Sequence, residues 1–580
     1  MGNTRADHWI SGKLRVASKG KNQFSILFIS GILLGVFVIF PLALLILNSF
    51  REVGLGELGL SFRNLTLGNY ITAYSESRTW KMLWDTFIFA AGTMVVAFVV
   101  GGVMAFLVER TDAPWRRVSY GMMFIPLIIP GMLLSISWIF LLSPNIGIIN
   151  KLWMSMGFTD PILSAYSMPM MWWVQGIIES PLTFLLLGSA LRRMDPALEE
   201  AATTAGATRF KSLTRVTLKL MAPTLAGVAL LQFVRALEAM DTPLIIGLNA
   251  GIKVFSTNIL LALNNQFPPD YGLGFAYSMT LIVLTAVGLF VYSSIMRQSD
   301  KYAVITGKGY RPQIIHLGRW KVLAACFQAL FAIVAVALPL AVLVWMSLLP
   351  NFAIPSREAL ADISLQNYAS VVFRPDMALA LKNTVIVGIC VAFGVMVVSL
   401  LLSWVVFHMK IRGGKILDGL AFMPYAIPSI AMAVAFLALF LSFKNPIYNT
   451  VWILVIAYIV RFLPYGTRFT NAGLVQIKKE MEEAAVTSGA KFRKIFVHII
   501  GPLMKPILIG GGLYVLVLSI KTFPMAVILS SPQNIILSVK VWWMWSDGKF
   551  GEVSALAVMI ILALSIITFL GGTDKLSQQK

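Results

Sequence analysis

Arg235, Glu238 and Asp241 stand three apart in an otherwise apolar run and so share one face of a helix. Ionisable groups in a membrane-spanning helix are costly and face the bundle interior or water. There they line a pathway, gate it or relay ions. The same groups serve equally well as structural ion pairs that fix helix packing. Lys521 is a similarly placed cation in a later run, Arg461 and Arg468 lie in another, and Glu179 closes a fourth. Nothing in this set has the spacing of a metal site or a catalytic triad. His8, His316, His408 and His498 are scattered, and Cys326 and Cys390 both lie inside apolar runs. No enzyme, no bound metal, no cofactor and no disulfide framework is therefore expected.

The elements that must position these charges are apolar helices. Of the 580 residues, 58% are hydrophobic and 13% charged. About 20 apolar residues cross a bilayer core, and twelve such runs are read here. The clearest are 24–47, 86–108, 272–296, 384–408 and 553–570; the others are 118–142, 162–191, 220–247, 322–349, 419–443, 446–472 and 506–529. The first run is too long and too late for a cleaved leader and reads as a span. The fold class is thus an all-α polytopic membrane protein, because lipid requires internally satisfied backbone.

The formal charge of +21 could suggest nucleic acid, but its distribution does not. With twelve spans and the N-terminus inside, 31 Lys and Arg fall on one side, 12 on the other and four within spans. That asymmetry places both termini in the cytoplasm. No nucleic-acid partner is expected; membrane lipid is.

The chain also repeats itself. Pro41 matches Pro339, Ser49 Ser347, Asn69-Tyr70 Asn367-Tyr368, Thr86 Thr384, Pro126 Pro424 and Pro130 Pro428, all at an offset of 298. From the fourth span onward the offset is 283: Pro181 with Pro464, Gly206 with Gly489, Pro223 with Pro506 and Gly227 with Gly510. One gap near 143–161 accounts for the change. Each half has six spans, and an even number makes the repeats parallel, related by an axis along the membrane normal with a pathway between them. The division is a tail at 1–23, a first repeat at 24–296, a linker at 297–321, a second repeat at 322–570 and a tail at 571–580. Glu238 and Lys521 are repeat-mates of opposite charge, and facing halves would bring them together. Pro126, Pro130, Pro424 and Pro428 remove backbone hydrogen bonds within spans and favour kinks, which suits a gate as well as an ordinary membrane helix.

The most informative repeat is polar. Glu199-Glu200-Ala201-Ala202, then Gly206-Ala207, recurs as Glu482-Glu483-Ala484-Ala485, then Gly489-Ala490, in the loops 192–219 and 475–505. Asp195-Pro196 starts a helix, the Ala/Glu run sustains it, and the glycine turns the chain into a basic helix entering the next span. The product is a compact knob with exposed glutamate and a buried alanine face. This pattern resembles the permease signature of binding-protein-dependent ABC importers, and the fused double form is most similar to the ferric-iron permeases. Pro502 takes that signature's proline position, whereas the first half has Lys219 there.

The resemblance implies the type I importer fold and a place in a bacterial inner membrane. It also implies that these loops are coupling helices seated on two ABC ATPase subunits, and that a periplasmic or extracellular solute-binding protein docks on the outer loops. Ferric iron is the cargo it implies, with thiamine, 2-aminoethylphosphonate or another small solute as alternatives. The sequence contains no Gly-x-x-x-x-Gly-Lys-Ser/Thr phosphate loop, so ATP hydrolysis falls to separate subunits. A different class, an ion-coupled secondary transporter, would use Glu238 or Asp241 as its coupling acid and would not need two matched knobs.

Overall fold

The computed structural model describes residues 31–52, 58–194, 196–264, 268–299, 314–407, 413–443, 446–477, 479–490 and 492–576. The proposed tail at 1–23 and most of the linker lie outside these. Among the described residues the fold is helical, with two isolated bridges, Arg51 to Leu65 and Thr111 to Ile315, in place of any sheet.

Among the described residues nine unbroken helices are long and apolar enough to cross a membrane, and four further helix pairs qualify as sharply bent spans. The twelve runs read from the sequence account for all nine helices and three of the pairs. The fourth pair, Pro243–Ala250 and Phe255–Asn264, turns through 85° after the fifth span. The expected run 220–247 is thereby shortened: its helix ends at Leu237. Likewise the run 506–529 ends as a helix at Lys521, and Pro524–Leu529 and Leu537–Ser546 follow as short pieces. Apolar composition continues through these breaks, because they are buried rather than looped into solvent. The last helix extends through Leu576, into the segment read as a tail.

The proline pairs do more than kink. Arg116–Ile128 turns through 99° into Gly131–Leu142, and Gly414–Ala426 through 107° into Ser429–Ser442. Pro130 and Pro428 each sit at the junction, with extended ψ just before the second helix begins. A proline there removes an amide that the new helix would leave unpaired.

Each half is built around one tight parallel pair. Ser77–Arg110 packs along Met168–Arg193, and Pro375–Phe407 along Val451–Leu474. The halves then embrace. Phe40–Ser49 of the first lies against Ser429–Ser442 of the second, and Leu338–Ser347 of the second against Gly131–Leu142 of the first.

Matched sequence positions make matched contacts. Asn69 Nδ2 donates to the carbonyls of Ser49 (3.1 Å) and Arg51 (2.7 Å); Asn367 Nδ2 donates to those of Ser347 (3.0 Å) and Leu349 (2.7 Å). The hydroxyls of Tyr70 and Tyr368 meet Ser49 Oγ and Ser347 Oγ at 2.8 and 2.7 Å. Thr86 and Thr384 accept the amides of Phe255 and Leu537. In each half, that bond ties the second span to the short helix after the fifth.

The halves are also joined in the loops. Ile315 N donates to Arg110 O and Asp112 N to Ile315 O, while the Asp112 carboxylate meets Lys321 Nζ (2.8 Å), the Leu317 amide (2.9 Å) and His316 Nδ1 (3.0 Å). Lys321 above all, then the Leu317 amide and His316, hold Asp112 well below the usual carboxylate range. A depressed folded value means the contact contributes fully above about pH 4 and fades only as pH falls through the depressed value. Hydrogen exchange at the Ile315 amide, corrected for intrinsic rate, should therefore show equal protection at pH 5 and pH 7. Asp112→Asn should lower it at both.

Candidate functional site

Two regions collect the functional residues, the knobs and the seam between the halves. Both knobs have the same backbone. Helix Pro196–Thr204 ends at Gly206, at φ +86°, with Gly206 N donating to Thr203 O and Ala207 N to Ala202 O, both at 3.0 Å. Helix Lys479–Thr487 ends at Gly489, at φ +79°, with Ala490 N donating to Ala485 O at 2.9 Å. These are left-handed glycine caps that satisfy the last helical carbonyls. They explain the glycine at this spacing: any side chain there is strained.

The side chains differ from the sequence expectation. Glu200 and Ala201 are exposed, Ala202 is half-buried, and Glu199 is buried. The first alanine of each knob therefore faces outward while the second is half-buried, and in the first knob one glutamate faces inward. Glu199 is ion-paired with Arg110, which is fully buried at the end of the second span. Its other oxygen accepts from Thr217 Oγ1 at 2.7 Å, at the foot of the fifth span. Helix 196–204 is thus tied to two spans at one carboxylate. Ala484 is exposed and Ala485 half-buried; the side chains of Glu482 and Glu483 lie outside the described residues. No sequence pattern singles out Arg110, because its partner Glu199 lies 89 residues away.

The seam holds the ionisable groups. Arg235 Nε and Nη2 donate to the two Glu179 oxygens at 2.7 and 3.3 Å, a two-pronged pair inside the first half. Gln232 Nε2 donates to the Glu179 carbonyl and to Thr183, and Thr242 and Ser135 extend the network through Gln175. Glu238 crosses the seam. It accepts from Arg461 Nη2 at 3.1 Å and from the Ser429 amide at 3.3 Å, where the second half's broken span restarts. Arg461 Nη1 donates to Pro424 O (2.9 Å) and Ile427 O (2.6 Å), the carbonyls freed by that break. Lys521 Nζ crosses the other way and donates at 2.7 Å to Leu127 O, beside the first half's break.

Glu238 is therefore paired with Arg461 and not with its repeat-mate Lys521. Asp241 sits at Gly131, where the first half's broken span restarts; a Cβ on Gly131 would lie 2.7 Å from Asp241 Oδ2. Its Oδ1 is buried with no hydrogen-bond partner. The repeat-mate of Gly131 is Ser429, so one helix end presents a carboxylate to each half's break. Arg468 is elsewhere, stacked over Phe422 at 4.4 Å. The four prolines flank this layer at the two breaks.

On the side of the charged layer away from the knobs lies a cavity of about 420 Å³, lined by Phe140, Tyr166, Leu248, Asn249, Trp542 and Trp545 among others. Phe140 of the first half meets Trp545, Phe550 and Phe352 of the second at ring-centroid distances of 5.8 to 5.9 Å. Among the described residues no group of three or more His, Cys, Asp or Glu is arranged to hold a metal ion.

Comparison with known proteins agrees with this architecture. The family model described as the binding-protein-dependent transport system inner membrane component matches twice, over residues 97–301 and 396–573. A ferric transport system permease protein of Actinobacillus pleuropneumoniae is 24% identical over 502 residues, 83% of this chain and 69% of that one. A probable ABC transporter permease protein of Sinorhizobium fredii is 24% identical over 538 residues, 87% and 90% of the two chains. A spermidine/putrescine permease protein of Haemophilus influenzae is 30% identical over 28% of this chain and 62% of its own. Among solved structures, a bacterial alginate-importing ABC transporter chain aligns at 17% identity and TM-score 0.41, covering 50% of this chain and 99% of that one. With two matched units joined in one polypeptide, this chain belongs to the family of binding-protein-dependent transport system inner membrane components, as a multi-pass ABC importer permease.

Proposed function

We propose that the seam is the translocation pathway of an ATP-driven importer. On this reading separate ATPase subunits, one per knob, seat on Glu199–Ala207 and Glu482–Ala490. A solute-binding protein docks on the opposite face, where 51–81 and 350–382 are the largest loops. Both termini and both knobs then lie in the cytoplasm, an orientation that the basic-residue asymmetry supports. ATP-driven closure of the two ATPases would move the knobs, and the halves would rock between two states. The observation that carries the reading is the pair of glycine-capped helices with the same geometry in both repeats.

Glu238, Asp241, Arg235 and Lys521, with the broken spans at Pro126, Pro130, Pro424 and Pro428, form the floor of the pathway below the aromatic cavity. An ion-coupled transporter would need Glu238 or Asp241 free to exchange a proton. The Arg461 pair on Glu238 and the matched knobs favour the importer. Iron is the cargo supported by relatives named for ferric transport. A small organic solute is the second reading, favoured by the opposite charges on the two sides of the seam.

Co-purification with candidate ATPases tests the knobs. Wild type should retain an ATPase, and Gly206→Asp/Gly489→Asp should lose it, because the positive φ strains any side chain there. Equal retention by the double variant would remove the knobs as docking sites.

A further inference from the structure

The charged layer is polarised in a way the duplication does not impose. Of the groups that cross or face the seam, the first half supplies both carboxylates, Glu238 and Asp241, and the second half both cations, Arg461 and Lys521. At the repeat offset of 283, Glu238 corresponds to Lys521, Asp241 to Pro524, and Arg461 to Ile178. Arg235 is neutralised within its own half by Glu179. When the halves part, one wall therefore carries two negative charges and the other two positive ones.

We infer that the cargo is a small zwitterionic solute whose cationic end takes the Glu238/Asp241 wall and whose anionic end takes the Arg461/Lys521 wall. This rests on reading the seam as the pathway. The physical reason is the cost of the open state. Parting Glu238 from Arg461 leaves a carboxylate stripped of its ion pair and a guanidinium bonded only to carbonyls of its own half, with no counter-charge on either side, which is strongly unfavourable in a low-dielectric setting. A solute bearing both charges replaces both lost partners at once, so it binds the parted state better than the closed one and shifts the population toward it. A solute with one charge satisfies one wall and is repelled by the other. A bare ferric ion fits only the acidic wall and faces two cations across the seam.

The test reads the seam directly and needs no ATPase. Thr285 Oγ1 of the first half donates to Ala426 O of the second at 3.3 Å beside this layer. In the full chain with Cys326 and Cys390 replaced by Ala, Thr285→Cys/Ala426→Cys reports closure by its rate of disulfide cross-linking. β-Alanine, 4-aminobutyrate and 2-aminoethylphosphonate should be compared with propionate, propylamine, ethylphosphonate and ferric citrate.

At least one zwitterion should slow cross-linking about threefold or more while the singly charged analogues do not. Adding Glu238→Gln/Arg461→Gln should abolish the response, read as the ratio of cross-linking rates with and without solute in that same variant. The inference fails if no zwitterion acts, if propionate or propylamine acts as strongly, if ferric citrate alone acts, or if the Gln pair keeps the response. ATPase co-purification is unaffected by any of these results, so the two readings fail separately.

Discussion

Arg110→Ala should destabilise the protein by about 3–5 kcal/mol, the loss expected when one partner of a buried ion pair is removed. Arg110 is fully buried and pairs with Glu199, which is 8% exposed. Truncation leaves a carboxylate inside the protein with only the Thr217 hydroxyl to bond it. The response should be local first: faster hydrogen exchange through helix 196–204, then a lower midpoint of thermal unfolding in detergent. Replacing both partners, Arg110→Leu/Glu199→Leu, should recover most of the midpoint, because the desolvation of both charges is then avoided. A single variant as stable as wild type would mean that Glu199 has reached solvent and that the knob is not fastened here.

Gly101→Leu should be at least as damaging, by about 3 kcal/mol or more. A Cβ there would lie 2.5 Å from the Ser180 carbonyl oxygen, 2.7 Å from Thr183 Cβ and 3.0 Å from the Phe184 amide. Two of these are backbone atoms, so no rotamer change relieves the clash and the pair Ser77–Arg110 and Met168–Arg193 must separate. Gly176 on the facing helix is as tight, 2.4 Å from Val96 Cγ1. Small residues on both sides let membrane helices approach closely. Gly510→Ala is the matched control, since a Cβ there meets nothing within 4 Å. Expression and thermal unfolding in detergent should separate the two variants clearly.

Much of the fold was legible because duplication doubles every signal. Asn69 and Asn367 repeat at one offset, and they hold the same two carbonyls in each half. The glycines at 206 and 489 were legible for a similar reason, as turns between two helical patterns. Repeat arithmetic failed at Glu238. It pairs a residue with its symmetry mate, but groups away from the axis face other positions, and Arg461 is the one Glu238 reaches. Helix periodicity failed at 238–247, because an apolar run reads the same whether its helix continues or stops at Leu237. It also placed the wrong residues outside the knob. The alanines looked like a packing face, and the second of each knob is indeed half-buried, but the buried position in the first knob belongs to Glu199, whose partner lies 89 residues away.

The opposite signs across the seam carry a consequence for how such a molecule can be assembled. In a homodimer with a true twofold axis, each subunit presents an identical surface, so an acidic wall meets a second acidic wall. The carboxylates of positions 238 and 241 would then stand on both walls, and no substitution could change one side without altering the other. Joining the halves in a single polypeptide lifts that constraint. Position 238 can remain glutamate while position 521 becomes lysine, and each wall drifts independently under one stoichiometry. Fusion thus does more than guarantee equal copies: it permits a directional dipole across the passage that two identical subunits could not make.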